Sequence, residues 1–572
     1  MLRLVRFLKG QIPATIAAPL CKLIEAIAEL AVPMIIANVI DVGIAAGDET
    51  YVIKYCSIIA VLAVGGFLIS STGQYLAAKV AWGFGSRLRA ATFAHITKLP
   101  LSTTDRLGGS SLATRLTGDV MNCQNALNMF LRLVLRIPFV LVGAFVMSII
   151  ISPILSLMFL AMVVVLSAVI SCVLKLTLPR VRKAQKNLDE LSRLSAQSLS
   201  GARVIRAFSK QNDTAAEFDR AADATAKTNI GAARISALLN PLTFAVVNLA
   251  IIAVLWFGGV KVDGGALTQG KVVALINYLT QAFFVIVVIG SVFSVFTRSS
   301  ACAARVNEVL DCEIPPEGDI DKTELARKTA DLKIGDEVLR FDGVSFAYDG
   351  DYDVRDVSFS LGYGKTLGII GGTGSGKSTL VSLTERYYDP DKGGVYFCGA
   401  PVKDYTLSAL RGAIGFVPQR AAVFRGTLDS NLRIADENVT KEREEEALKL
   451  AQAEELISSV GLDGFIAENG KNLSGGQRQR VSIARSLCRD NVLYLFDDVT
   501  SALDYKTERD FISAMKSVAG AKIFVSQRIS TVSGCDNILV LDGGKIVGYG
   551  THAELKKSCP LYAEFCASQS NA

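Results

Sequence analysis

Two short stretches carry residue types whose spacing serves phosphate chemistry. The first, 371-GGTGSGKS-378, fits G-x-x-x-x-G-K-[ST] and follows the apolar run TLGII. Its glycines, Gly371, Gly372, Gly374 and Gly376, with Thr373 and Ser375 among them, let backbone N–H groups converge on phosphates at a helix N-terminus. Lys377 reaches the β and γ phosphates of a nucleotide, Ser378 ligates magnesium, and Thr379 extends the same set. The second stretch, 492-VLYLFDDVTSALD-504, runs from a buried-strand pattern into two adjacent carboxylates, Asp497 and Asp498. In a parallel sheet the C-terminal end of that strand lies beside the phosphate loop, which makes Asp497 the magnesium-side carboxylate. The competing reading is a carboxylate that only caps the next turn.

Positioning these groups requires a sheet, and only the C-terminal part of the sequence offers one. Residues 338–572 alternate short strands with helices and read as a soluble α/β nucleotide-binding domain, preceded by an acidic linker over 311–337. Residues 1–310 are of another kind. Of the 572 residues 50% are hydrophobic and only 20% charged, and nearly all the long apolar runs fall in this first part. That is too apolar for a soluble protein of this size. A helix crossing the hydrocarbon core needs roughly 20 apolar residues. Six runs qualify, near 13–40, 55–78, 133–152, 154–174, 242–260 and 272–297. The fold class is therefore an all-α six-helix membrane domain with long cytoplasmic helix extensions, fused to a soluble α/β P-loop nucleotide-binding domain. The apolar stretch after MLRLVRFLKG has no small-residue cleavage site and reads as an uncleaved first span.

Basic residues set the expected orientation. Arg3, Arg6 and Lys9 precede the first span, Arg87, Arg89 and Lys98 follow the second, and Arg180, Arg182 and Lys183 follow the fourth. This bias puts both termini and the nucleotide-binding domain in the cytoplasm. The two cytoplasmic connections are long, roughly 55 and 65 residues, and poor in Gly and Pro, so helices extend well beyond the bilayer. Each contains a small-residue break, LGGSS at 107–111 and LSGAR at 199–203, where a short transverse helix is expected.

The net charge of +6 is small for this length, and no basic stripe is interleaved with aromatics, so the lipid bilayer and not nucleic acid is the expected partner. Eleven cysteines scattered without CxxC pairs read as free thiols. In the first span Lys22, Glu25 and Glu29 share one helix face. Two readings stay open. The three pair with one another or with Arg132 or Arg136, or else Glu25 or Glu29 lines a cavity that selects cationic or polar cargo.

Between the two phosphate-chemistry stretches lies 473-LSGGQ-477, inside NLSGGQRQRVSIARSL. It resembles the signature of ATP-binding cassette (ABC) transporters, and the order of motifs over 338–572 is theirs. With six preceding spans, the whole chain resembles a half-transporter of the multidrug-exporter type. The resemblance implies ATP and Mg2+ as ligands, with Ser378, Gln419 (in FVPQ) and Asp497 at the metal and Gln419 also at the attacking water. It implies that Tyr348, in VSFAYDG, stacks on adenine, although a plain packing role suits that ring too. By the same resemblance Leu473, Ser474, Gly475, Gly476 and Gln477 address the γ-phosphate of a nucleotide held by a facing domain. Ser501 and Asp504, in SALD, then communicate between the two sites.

Two positions depart from the family pattern. Where the family has a glutamate that polarises the attacking water, this chain has Asp498. The missing methylene withdraws the carboxylate by about 1.5 Å, whereas a base must lie within roughly 2.6–3.2 Å of its target. The family's switch histidine, which contacts the γ-phosphate, aligns with Gln527 in IFVSQRIS, a neutral amide that can hydrogen-bond but cannot become a cation. The two histidines of the chain, His95 and His552, read as packing or surface residues.

Both departures beside an intact LSGGQ resemble the degenerate subunit of heterodimeric exporters. Such a chain belongs to an ATP hydrolase coupled to transport. Its own site, on Lys377, Asp497 and Asp498, binds ATP and turns over slowly. Its LSGGQ completes the hydrolytic site of a homologous partner that brings the glutamate and the histidine and carries an altered signature. The expected cargo is a drug, lipid or peptide, and family analogy favours a bacterial plasma membrane. Two competing readings are an ATP-gated or regulatory membrane protein without uphill transport, and an importer built on the exporter fold. Whether cargo accumulates against a gradient, and on which side, separates the three.

Overall fold

The computed structural model describes residues 2–570 and divides into two compact units. One comprises Met1–Lys98 and Leu107–Cys312; the other comprises Leu99–Arg106 and Glu313–Ala572.

Among the described residues the first unit contains six helical segments long and apolar enough to cross a membrane: Ile12–Ile44, Glu49–Ile96, Gly109–Ile151, Pro153–Ser200, Gln211–Asp263 and Gln269–Leu310. Five of the expected spans fall inside one of them, and the third, 133–152, runs one residue past Ile151. The 48-residue helices Glu49–Ile96 and Pro153–Ser200 far exceed a bilayer, since 1.5 Å per residue makes each about 70 Å long. The outer faces of the apolar segments stay apolar, with Phe67 and Trp82 on Glu49–Ile96 and Phe244 and Trp256 on Gln211–Asp263 all more than 60% exposed, a pattern that water disfavours and lipid accommodates. Inside, Phe159, Tyr278 and Leu166 are buried, and the Tyr278 hydroxyl donates to the Leu30 carbonyl at 2.8 Å.

Sequence and structure differ at the third span. The third segment is not one regular helix, because wider π-helical turns interrupt it at Arg115–Asp119 and Phe130–Val134. Short helices fall at the small-residue breaks: Leu101–Leu107 and Gly109–Thr114 meet at Gly108 in the first, and Ala202–Ala207 begins inside the second. Gly108 has φ +76°, a left-handed conformation that ends one helix and starts the next at low steric cost.

Charge inside the helical unit is paired. Lys22 donates to Glu25 (2.6 Å) and to the Ser70 hydroxyl (2.7 Å). Arg136 contacts Glu29 and stands 4.0 Å from Glu25, whereas Arg132 turns to Gln74. The pairing reading of Glu25 and Glu29 is thus realised through Arg136. Asp119, nearly buried, receives Arg305 bidentately at 2.7 and 2.5 Å. His95 Nε2 lies 3.0 Å from the Cys312 carbonyl, a packing contact.

The second unit is built on two sheets. Four strands pair antiparallel around Glu337–Phe346, where Phe341 stacks on Phe359 at 4.7 Å between centroids. A six-stranded sheet holds, in spatial order, Lys545–Gly550, Asn537–Asp542, Thr366–Gly371, Ala521–Ser526, Leu493–Asp497 and Ile414–Val417. The last five run parallel, and their near-continuous apolar residues are buried on both faces, as a covered parallel sheet requires. The expected linker 311–337 is not featureless. It contains the helix Lys322–Thr329, which Asp321 caps and which sinks Leu325 into the core of this unit.

Candidate functional site

Strand register explains why distant motifs meet. Ser526 pairs with Ile370, Val525 with Asp497, and Phe496 with Val417. Four neighbouring parallel strands therefore end at one edge of the sheet. Immediately beyond them come the glycine loop, Gln527, Asp497 with Asp498, and Gln419. A crevice at the carboxyl ends of parallel strands is where α/β sheets bind ligands. The strand of Asp497 is not adjacent to that of the glycine loop, because Ala521–Ser526 lies between them.

The loop itself is shaped by two left-handed glycines, Gly374 (φ +78°) and Gly376 (φ +96°). At Gly376 a Cβ would come within 2.7 Å of the Asp353 carbonyl, so only glycine fits there. At Gly372 and Gly374 a Cβ would meet nothing, which leaves the inner face of the loop open to phosphate. Lys377 Nζ donates to the carbonyls of Gly371 (2.9 Å) and Gly372 (2.6 Å) and to Ser375 Oγ (3.3 Å). Burial lowers the pKa of this lysine, opposed by Asp498 and Asp497. Ser375 and Thr379 are buried, so their side chains pack within the loop and its helix.

Two of the three expected metal ligands, Ser378 and Asp497, stand side by side, and the third, Gln419, bonds to Asp498. Ser378 Oγ lies 3.2 Å from Asp497 Oδ1, and Asp497 is only 8% exposed. Burial raises the Asp497 pKa above its ordinary value, with Asp498 adding to the rise and Ser378 and Lys377 opposing it. A hydroxyl and a carboxylate side by side form an oxygen donor pair suited to Mg2+, and a cation there would offset the desolvation that disfavours the ionised carboxylate.

Asp498 takes a left-handed conformation, φ +48° and ψ +36°, tolerable for an aspartate. Its N–H donates to the Val525 carbonyl at 2.8 Å, and its carbonyl accepts from Ser501 Oγ at 2.8 Å. Its carboxylate accepts from Gln419 Nε2 at 3.2 Å. The two residues expected at the attacking water thus hold each other. Gln527 is exposed just past Ser526. Tyr348 is 46% exposed and packs edge-on against Phe346 and Tyr388, leaving ring surface for a base. Its N–H donates to Asp353, the residue whose carbonyl borders Gly376.

The signature forms the start of a second helix, Gly475–Leu487. Ser474 and Gln477 form a reciprocal cap, with Gln477 N–H donating to Ser474 Oγ (3.2 Å) and Ser474 N–H to Gln477 Oε1 (2.8 Å). Leu473 anchors the motif in the core, whereas Ser474 and Gly475 are exposed. Among the described residues none of these five hydrogen-bonds to Lys377, Ser378, Asp497 or Asp498. Asp504 caps the helix Tyr505–Met515 through the N–H groups of Lys506 (3.1 Å) and Thr507 (3.0 Å), which is a structural task whatever else it does.

Several residues at this edge were not legible beforehand. Glu508, 1% exposed, accepts from Arg528 (2.8 Å), Ser530 (2.8 Å) and Thr531 (2.6 Å). Arg528 also reaches the Thr500 and Leu503 carbonyls, so it ties the loop after Asp498 to the loop after Ser526. Tyr388, beside Tyr348, donates to Asp105 at 2.7 Å on the short helix Leu101–Leu107, which packs with this unit. A mid-helix glutamate and a loop arginine look like solvated surface in sequence; only the strand order reveals them as partners.

Comparisons with known proteins agree with this architecture. Residues 15–287 match the family profile "ABC transporter transmembrane region", and residues 354–501 match "ABC transporter". An uncharacterized ABC transporter ATP-binding protein of Mycobacterium tuberculosis is 35% identical over 96% of this chain and 94% of its own length. The uncharacterized ABC transporter ATP-binding protein YfiB of Bacillus subtilis is 33% identical over 100% of this chain and 98% of its own. An ATP-dependent lipid A-core flippase of Vibrio parahaemolyticus is 30% identical over 98% and 96%. Among solved structures, that of a bacterial Atm1-family ABC exporter with ATP bound superposes with a TM-score of 0.80 at 24% identity, covering 98% of both chains. The chain belongs to the ABC transporter family, with a helical membrane domain and an ATP-binding domain of exporter fold in one polypeptide.

Proposed function

We propose that this chain is the degenerate-site half of a heterodimeric ABC exporter. The observation that carries the reading is local: Asp498 and Gln527 stand at the same sheet edge as an intact Lys377, Ser378 and Asp497, while the Ser474 helix cap is complete. The groups that would hold a magnesium nucleotide are present, and the two that would polarise the attacking water (Asp498) and contact the γ-phosphate (Gln527) are altered. In the observed geometry the Asp498 carboxylate is engaged by Gln419, and its side chain is one methylene short of the reach that a glutamate would give. General-base catalysis contributes about 10²–10⁴-fold, so loss of that reach leaves slow turnover at this site.

In this reading Lys377 and the loop N–H groups bind the phosphates, Ser378 and Asp497 hold Mg2+ with Gln419 beside them, and Tyr348 takes the adenine. Bound Mg2+ would neutralise charge on the phosphates. Ser474, Gly475 and Gly476 present a hydroxyl and helix N-terminal N–H groups to a nucleotide on a homologous partner, which supplies its own glutamate and histidine. Ser501 and Asp504 sit between the two sites. Closure around ATP draws on Leu101–Leu107, which Tyr388 ties to the nucleotide-binding unit through Asp105, and so biases the membrane helices between two cavity accesses.

The cargo is an apolar or amphipathic molecule, in keeping with relatives named lipid A-core flippases. Both termini and the nucleotide-binding domain face the cytoplasm of a bacterial cell. Steady-state ATPase activity tests the proposal. The chain alone should be nearly inactive, co-purification with the half-transporter encoded beside it should restore activity, and neutralising the partner's glutamate should abolish it. Full activity of the chain alone would refute the reading.

A further inference from the structure

The loop that carries Gln527 cannot cap itself. It joins the strand Ala521–Ser526 to the short helix Ile529–Val532, and the cap position is held by Arg528, whose side chain has no acceptor to offer. The Ile529 N–H is nevertheless satisfied from far along the chain. Gln569, on the helix Pro560–Ser570, accepts it at Oε1 (2.7 Å) and donates from Nε2 to the Gln527 carbonyl (2.8 Å). One carboxamide therefore brackets Arg528 through the backbone on both sides.

That helix is a firm base for the bracket. Tyr562 and Cys566 are buried in a cluster with Val532, Ile538 and Val540, and the Tyr562 hydroxyl is 2.7 Å from His552 Nδ1. On the other side Arg528 is anchored to Glu508, and its N–H donates to Ser526 Oγ at 3.0 Å. The side chain of Gln527 makes no hydrogen bond of its own among the described residues, so the backbone that Gln569 fixes is what sets the direction in which its Cα–Cβ bond leaves the loop.

We infer that Gln569 is a positioning residue: it holds the 527–529 loop so that Gln527 faces the terminal phosphate of a nucleotide on the Lys377 loop, and thereby sets the preference of this site for triphosphate over diphosphate. The inference rests on the proposed role of Gln527 as the γ-phosphate contact and adds the element that orients it. The mechanism is the entropy of one loop. A carboxamide that supplies both a donor and an acceptor removes the alternatives to a single carbonyl and N–H arrangement.

The test is equilibrium binding of ATP and of ADP to the purified full chain in lipid nanodiscs, for the parent, Gln569→Ala, Gln569→Met, Gln527→Ala and the Gln569→Ala/Gln527→Ala pair. Gln569→Met keeps the apolar stem and removes only the hydrogen bonds. Both Gln569 variants should weaken ATP binding about three- to tenfold and leave ADP within about twofold. Unchanged ADP affinity also reports that the site is folded. The pair should be no weaker than Gln527→Ala alone, because one residue acts through the other. Equal losses of ATP and ADP affinity, or no loss from either Gln569 variant while Gln527→Ala weakens ATP alone, would overturn the inference and leave the role of Gln527 standing. An unchanged ATP-to-ADP ratio in Gln527→Ala would bring down that role and the inference with it.

Discussion

Glu385 closes the helix Lys377–Thr384 that begins at the phosphate loop, and its side chain is almost wholly buried. Desolvation pushes its pKa up from 4.5 to about 7, with Arg411 and Arg489 offsetting part of the rise. Its place at a helix C-terminus, where the backbone carries partial negative charge, acts in the same direction. In the unfolded chain the carboxyl ionises near its ordinary value, so between that pH and about 7 the folded form keeps a proton that the unfolded form has lost. Stability tied to Glu385 is therefore fully present below the ordinary glutamate pKa and is lost as pH rises through about 7. At about 1.4 kcal/mol per unit, the loss amounts to about 3 kcal/mol in alkaline solution.

Glu385→Gln, a neutral isostere of the protonated form, should match the parent in mild acid and exceed it above pH 8. Both tryptophans, Trp82 and Trp256, lie in the membrane unit and would not report the change. Hydrogen exchange of the Lys377–Thr384 amides would, with protection in the variant higher by up to about a hundredfold in alkaline solution and equal in acid. If parent and variant keep one ratio of protection at both pH values, Glu385 is not the buried proton acceptor described.

Further expectations concern the other motifs. Ser474→Ala should remove a cap worth about 1 kcal/mol and, in the assembled heterodimer, cut ATPase activity at least tenfold while ATP affinity at the Lys377 site stays constant; equilibrium nucleotide binding and steady-state turnover check the two halves. Arg136→Met should strand Glu29, while Glu25 keeps Lys22, and lower the yield of folded protein, with Glu29→Gln partly restoring it on size-exclusion chromatography. Because burial holds the Asp497 carboxyl above its ordinary range, protonation should weaken Mg2+ binding at a higher pH than an exposed aspartate would set; a metal titration across mildly acid pH measures this.

The sequence was most informative where chemistry dictates residue type. Four glycines, Lys377 and Ser378 could be placed on one loop, and Asp497 at the end of a neighbouring strand, because a phosphate cradle and a metal ligand leave few alternatives. Apolar runs of membrane length marked the six spans for the same reason. The remainder depends on long-range geometry. Nothing local indicates that Arg136 and not Arg132 would reach Glu29, that Gln569 would cap a helix 40 residues away, or that Leu325 would draw part of the acidic linker into the core. The π-helical turns at Arg115–Asp119 and Phe130–Val134 likewise leave no mark in hydropathy, since they shift one hydrogen bond without changing the apolar count.

The most direct test of the central claim is the chemical identity of the nucleotide held by this chain during turnover. A photoreactive ATP labelled on the α-phosphate would be crosslinked to the working heterodimer, and the nucleotide attached to each half identified chromatographically. Intact triphosphate is expected on this chain and diphosphate on its partner. Diphosphate on this chain in equal measure would mean that Asp498 serves as an effective base and that the two sites hydrolyse ATP alike.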